Sequence, residues 1–111
     1  MIQVIEEKKP WDEFISSFED ADLYHTFDYH MIAKDGGKPV LLKYTLGDIN
    51  IGLPLLIRDI PNTAFKDATS VYGYAGPVYK NVTKNFDSIH FNNELMEYFQ
   101  SNNIVSVFSR L

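Results

Sequence analysis

The feature that most constrains the fold is a pair of strand-like runs on either side of a glycine-aspartate turn. Residues 39–46 and 49–58 are rich in branched apolar side chains, and Gly47-Asp48 between them has the length and composition of a two-residue hairpin turn. Pro54 has no amide hydrogen, so we expect an edge, a bulge or an interruption in pairing on its side of the second strand. The sequence predicts an antiparallel hairpin.

Three segments have the spacing of amphipathic helices. The first begins near Pro10 and carries an apolar stripe from Trp11 to Phe18, and the second covers Tyr24 to Ala33. The third covers residues 88–101, and Asn102-Asn103 ends it. Its predicted buried face consists of Phe91, Leu95, Tyr98 and Phe99.

Shorter strands are expected at residues 2–6, 66–72 and 104–109. The predicted element order is β-α-α-β-β-β-α-β, which is an α/β fold with a mixed sheet. The last run is apolar like a strand buried inside a sheet, yet Leu111 follows closely. We therefore expect residues 1–111 to form one domain that is the first part of a longer fold.

Composition excludes several classes of protein. Apolar residues make up 45% of the 111 residues and charged residues 23%, which is typical of a single globular domain. The net charge is −5 and basic residues are scattered, so direct DNA binding is not expected. No run approaches the roughly 18 apolar residues of a membrane span, and the absence of cysteine suits the cytoplasm.

The most unusual local sequence is Tyr72-Gly73-Tyr74-Ala75-Gly76-Pro77. Its glycines permit positive φ angles or close approach of another group, and its tyrosines offer ring faces and hydroxyls. The spacing matches neither a dinucleotide-binding fingerprint nor a phosphate-binding loop. Two interpretations stay open, a ligand contact and a tight turn packed by aromatic rings.

The histidines and arginines give weaker signals. His25 and His30 are five residues apart, which places them on different sides of a helix and predicts no shared metal ion. Solvated or locally hydrogen-bonded histidines are the better interpretation, and His90 is expected to be structural. Arg58 and Arg110 suit either an anion contact or a surface salt bridge.

Several segments in this order resemble the N-terminal part of a FemAB-like protein of the GNAT acyltransferase superfamily. They are Tyr24-His25-Thr26-Phe27-Asp28-Tyr29-His30, Gly52-Leu53-Pro54-Leu55-Leu56-Ile57-Arg58, the turn at residues 72–77, and Asn103-Ile104-Val105-Ser106-Val107-Phe108-Ser109-Arg110. The resemblance implies a strand and two helices, then three antiparallel strands, then a helix and a parallel strand. The helices and strands that we predict from the residues come in this same order.

The resemblance implies an N-acyltransferase that moves an acyl or aminoacyl group to an amine of a cell-envelope or polysaccharide precursor. The implied acyl donor is acetyl-CoA or aminoacyl-tRNA, and its site is expected outside this chain, which lacks the superfamily's Arg/Gln-x-x-Gly-x-Gly/Ala signature. No catalytic residue is assigned. The candidate acceptor-binding residues are Tyr24, Tyr72, Tyr74, Gly76 and Arg110.

A non-enzymatic hypothesis stands beside this one. A GNAT-like binding or assembly module would bury its last strand against another chain, because an unpaired strand edge favours pairing. The expected partner through that strand is a second copy of the chain or a missing C-terminal half.

Overall fold

A computed structural model of the chain describes residues 2–19, 21, 25–33, 37–69, 77–82 and 87–108. The described residues form three helices and one mixed six-stranded sheet. The elements are β1 (Ile2–Ile5), α1 (Lys8–Ser16), α2 (Phe27–Ala33), β2 (Lys38–Leu46), β3 (Ile49–Asp59), β4 (Lys66–Thr69), β5 (Val78–Lys80), α3 (Ile89–Ser101) and β6 (Ile104–Phe108).

The strands lie in the order β1-β2-β3-β4-β6, and β5 pairs with β3 beside β4. All pairs are antiparallel except β4 with β6, which run parallel and are connected through α3. The predicted mixed α+β class is confirmed. The predicted order contained five strands, whereas the structure has a sixth, β5, between β4 and α3.

The central hairpin forms as predicted. Every residue of β2 from Lys38 to Leu46 pairs with β3, and the turn closes between Leu46 and Ile49. Gly47 has a φ of +58°, a conformation that glycine adopts without the steric cost of a Cβ atom. The short turn therefore fixes the register of the sheet's longest strand pair.

The edge of β3 that faces away from β2 is interrupted at the predicted place. β4 pairs with Leu56–Asp59 and β5 pairs with Asn50–Gly52, both antiparallel to β3, so the two short strands lie in line with each other. Pro54 lies in the gap between them. A two-residue turn closes on a hydrogen-bonded pair, so alternation directs the Pro54 backbone towards the gap, where the missing amide removes one unpaired donor.

Two apolar cores lie on opposite faces of the sheet. Val40 and Leu42 belong to the core beneath α3, whereas Leu41 faces α1 and α2, as the two-residue period of a strand requires. The α3 core comprises Val40, Leu42, Leu53, Leu55, Ala68 and Ile104, with Leu95, Tyr98 and Phe99 packed against it. The α1 core comprises Trp11, Ile15, Phe18, Leu41 and Val78.

All three predicted helices are present, but each begins at a different residue from the one predicted. α1 begins at Lys8, so Pro10 lies in the first turn, where its missing amide removes no helical hydrogen bond. The described part of the second helix begins at Phe27, and Tyr24 lies outside the described residues. α3 ends as predicted, since Asn103 has a φ of +58°.

None of the helices described here is long and apolar enough to cross a membrane.

The apolar run at residues 104–109 forms β6, and two of its valine side chains are exposed. In the described part of the chain, β6 pairs with β4 alone, so it is an edge strand. Ile104 is buried in the α3 core, but Val105 is 60% exposed and Val107 is 41% exposed. The pairing of β6 with β4 is irregular between Lys66 and Asp67, so the register passes over Val105, and Val107 pairs with Ala68 of the α3 core.

Candidate functional site

The predicted acceptor-binding residues cannot be located on this fold. Tyr24, Tyr72, Tyr74, Gly76 and Arg110 all lie outside the described residues. Their proposed roles stay predictions, and so do both interpretations of the turn at residues 72–77. The candidate site is therefore built from residues that the structure describes.

A pocket of about 390 Å³ lies between the interrupted edge of the sheet and the first turns of α3. We call it the α3 pocket. Pockets that bind small molecules are of this size and are mostly apolar, with a few polar groups. Its lining residues are Leu53, Pro77, Tyr79, Val82, Ser88, Phe91, Asn92 and Leu95.

Strand register brings the sheet side of the pocket together. Tyr44 pairs with Ile51 and Ile51 pairs with Tyr79, so these three residues form a row across β2, β3 and β5 on the α3 face. The ring of Phe91 lies 5.0 Å from that of Tyr44 in an edge-to-face arrangement. Leu53 follows in the next row, beside Pro54, so the pocket begins where β3 loses its outer partner.

The chain beyond β5 is held by a long-range hydrogen bond. The Asn81 side-chain amide donates to the Asp48 carbonyl in the hairpin turn at 2.8 Å, and Asn81 adopts a positive φ of 62°. Asparagine tolerates this left-handed conformation better than most residues. This bond ties the residue that precedes Val82 to the central hairpin and so helps to position one wall of the pocket.

The start of α3 is acidic rather than phosphate-binding in character. Asp87 accepts a hydrogen bond from the Ile89 amide at 3.0 Å, which satisfies one of the free donors of the first turn. The Asn92 side chain donates to the Ser88 hydroxyl at 3.3 Å. A carboxylate at a helix N-terminus is stabilised by the helix dipole and repels a second anion.

Two tyrosine hydroxyls near the pocket stay protonated well above neutral pH. Burial raises the pKa of Tyr79, which is partly exposed on the wall of the pocket. Burial, with a smaller contribution from Glu94, raises the pKa of Tyr44, whose hydroxyl is buried and has no hydrogen-bond partner among the described residues. Both groups therefore act as neutral hydroxyls and not as bases.

The lining residues suit binding rather than acid–base chemistry. Those that the structure describes include no histidine, carboxylate, lysine or arginine, so the described part of the wall pairs no nucleophile with an adjacent base. What the wall offers is apolar area together with the neutral polar groups of Tyr79, Ser88 and Asn92. A reaction at this pocket would need its proton acceptor from other residues.

On the opposite face, the histidines of the second helix region are buried. His25 is 7% exposed and His30 fully buried, so the solvated interpretation is wrong. The local hydrogen bond is confirmed for His30, whose Nδ1 lies 2.9 Å from the Thr26 carbonyl. Trp11 packs 5.1 Å from the His30 ring and donates its indole N–H to the His25 carbonyl at 2.9 Å.

The other residues singled out from the sequence, Arg58 and His90, lie outside the α3 pocket. Arg58 forms a two-pronged salt bridge with Asp67 at 2.9 and 3.3 Å, which confirms its salt-bridge interpretation. His90 is exposed on α3. Within the described ranges, no group of three His, Asp or Glu side chains is arranged to hold a metal ion.

Sequence reasoning missed the α3 pocket, although one signal pointed to it. Pro54 predicted the interruption in pairing, and Leu53 beside it lines the pocket. Tyr79 and Val82 gave no periodic signal, because β5 is three residues long. Comparison of the chain with protein-family models, with curated proteins and with solved structures finds no match.

Proposed function

We propose that the chain acts in N-acyl transfer as the N-terminal portion of a FemAB-like protein of the GNAT superfamily. In this proposal the chain contributes the acceptor side of the site, and an acetyl-CoA or aminoacyl-tRNA donor binds elsewhere in the protein. The acceptor is an amine of a cell-envelope or polysaccharide precursor.

The order and direction of the strands support this proposal. The FemAB-like resemblance implies a strand, two helices, three antiparallel strands, a helix and a parallel strand. In the described sheet, β1 to β4 pair antiparallel, and α3 then leads to β6, which runs parallel to β4. β4 and β5 together occupy one strand position, so β5 does not disturb this order.

The reaction assigns separate tasks to the two sides of the site. The acceptor nitrogen attacks the acyl carbonyl, an amide bond forms, and the bond to the donor's sulfur or ribose oxygen breaks. The nitrogen loses a proton to an acceptor group, and the leaving sulfur or oxygen gains one. The α3 pocket contributes by holding the substrate in place, since correct orientation alone removes much of a bimolecular barrier.

The direct test is acyl transfer by the complete product of the gene that encodes these residues. Labelled acetyl-CoA and labelled aminoacyl-tRNA are each incubated with amine-bearing envelope precursors, and transfer to the amine is measured. We expect transfer from one donor. We also expect Asn92→Phe, which fills the pocket mouth, to lower it at least tenfold.

The matched control is Asn93→Phe. Asn93 is the next residue of α3, is exposed and does not line the pocket. We expect this variant to retain transfer within about twofold, because surface changes away from a site usually have small effects. No transfer from either donor by the unaltered protein would contradict the proposed function.

One observation favours a second function, that of a binding or assembly module. β6 carries the exposed side chains Val105 and Val107 on an edge strand, and such edges pair with other chains. This function predicts self-association that rises with concentration in sedimentation velocity and weakens in the Val105→Lys variant. A monomer at every concentration would exclude pairing between copies through β6.

A further inference from the structure

We infer that the α3 pocket binds an uncharged aliphatic chain that carries a hydrogen-bonding oxygen, and that it excludes phosphate groups. The inference names the ligand class of the site used by the proposed function. It rests on that function for the biological role of the ligand, whereas the pocket's chemistry is independent of it.

The pocket wall favours carbon over charge. Its exposed wall is mostly apolar, and its lining includes Leu53, Val82, Phe91 and Leu95 together with the ring of Pro77. Burying each CH₂ group of a ligand here is worth roughly 0.8 kcal/mol, or about fourfold in affinity. A charged group would lose its hydration without finding an opposite charge among the described lining residues.

The electrostatics at the start of α3 act against an anion. A free helix N-terminus attracts phosphate, because its amides and dipole face the ligand. Here Asp87 binds the Ile89 amide and brings its own negative charge to that position. Glu94, about two turns beyond Asp87, accepts a hydrogen bond from the Ile2 amide at 3.0 Å and adds a second carboxylate to the same helix.

The polar groups of the wall suit a neutral oxygen. Tyr79 keeps its hydroxyl proton at neutral pH, since the ordinary pKa of tyrosine is about 10 and partial burial raises it. Ser88 and Asn92 are hydrogen-bonded to each other across one helical turn, so they present a neutral polar rim to the ligand. A carbonyl, ester or hydroxyl oxygen can accept a hydrogen bond from such groups without the desolvation cost of an ion.

A homologous series of alcohols tests the inference. The binding of n-butanol, n-pentanol and n-hexanol to the 111-residue chain is measured by amide chemical-shift titration, with inorganic pyrophosphate as the charged probe. We expect affinity to rise roughly fourfold with each added methylene and pyrophosphate to show no saturable binding at the start of α3. Equal affinities across the series, or saturable pyrophosphate binding there, would overturn the inference.

Two filling variants locate the effect. Asn92→Phe and Val82→Phe introduce a ring from different elements of the wall, so the test survives if one of them does not fold. We expect each folded variant to bind n-hexanol at least tenfold more weakly and Asn93→Phe to bind it normally. Unchanged binding in a folded filling variant would place the alcohol elsewhere and refute the assignment.

The binding and transfer assays separate the two proposals. Alcohol binding that depends on chain length and on Asn92, together with no acyl transfer, leaves the pocket inference standing and rejects the acyltransferase function. Acyl transfer that is insensitive to Asn92→Phe, without chain-length dependence in the binding series, supports the function and rejects the ligand class.

Discussion

His30 is held neutral by its surroundings between α1 and the sheet. It is fully buried, its Nε2 atom has no hydrogen-bond partner among the described residues, and its Nδ1 lies 2.9 Å from the Thr26 carbonyl. Because a carbonyl only accepts hydrogen bonds, Nδ1 carries the proton and Nε2 does not. Burial lowers the pKa of His30 to about 4; the hydrogen bond to Thr26 acts in the opposite direction, and nearby His25 adds a smaller lowering.

This shift makes the stability of the protein depend on pH in one direction. The folded-state pKa of His30 is below the unfolded value of 6.5, so the unfolded chain binds the proton more readily. The contribution of neutral His30 to the free energy of unfolding is complete above pH 6.5 and is lost as the pH falls towards 4. Its full size is roughly 3 kcal/mol, since one pKa unit corresponds to about 1.36 kcal/mol.

The measurement is urea unfolding of the protein and of His30→Phe between pH 7 and pH 4. We expect the variant to lose less unfolding free energy over this range, by about 3 kcal/mol, because it has no imidazole to charge. Lys8, Asp12 and Asp28 lie on the same two helices and are present in both proteins, so the difference isolates His30. His90→Gln serves as the exposed-histidine control, and identical slopes for all three proteins would refute the assignment.

At the scale of elements, the contact of α1 with the sheet depends on Gly52. A Cβ atom at this position of β3 would lie 3.1 Å from Phe14 Cε2 and 3.1 Å from Val78 Cγ2. Both neighbours belong to the α1 side, where Phe14 also contacts the ring of Phe18 at 4.9 Å. The absent side chain is what lets α1 approach β3 and β5 this closely.

We therefore expect Gly52→Val to destabilise the fold by about 2 kcal/mol through overpacking. Phe14→Ala removes one of the obstructing groups, so the double variant should be more stable than the sum of the single effects predicts. Chemical denaturation of the four proteins in this cycle gives the coupling energy. Strictly additive effects would mean that Phe14 does not limit the space at Gly52.

The elements that were predicted correctly are those whose signals are local. The hairpin follows from two strand-forming runs and Gly47, and α3 follows from the spacing of Phe91, Leu95 and Tyr98. β5 was missed because three residues cannot establish a period, and its pairing is set by Asn50–Gly52 across the sheet. The exposure of Val105 has no local signal, because side-chain burial in an edge strand depends on what covers each face.

At the scale of the whole molecule, the candidate site depends on contacts that are distant in sequence. The α3 pocket needs Leu53 on β3, Tyr79 on β5 and Leu95 on α3 to meet, and no local pattern predicts that meeting. Pro54 predicted only the gap beside it. Of the aromatic turn at residues 72–77, the most unusual local sequence, Pro77 lines the pocket, whereas residues 72–76 lie outside the described residues, so the role of the turn stays a prediction.

The central claim is that the interrupted edge of the sheet and α3 together form a ligand pocket. It is tested most directly by nuclear Overhauser contacts between n-hexanol and the protein labelled at leucine and valine methyl groups. The account predicts contacts to Leu53, Val82 and Leu95 and none to Val4 or Val105, which are exposed elsewhere on the sheet. Contacts to Val4 or Val105, with none to Leu53 and Leu95, would contradict it.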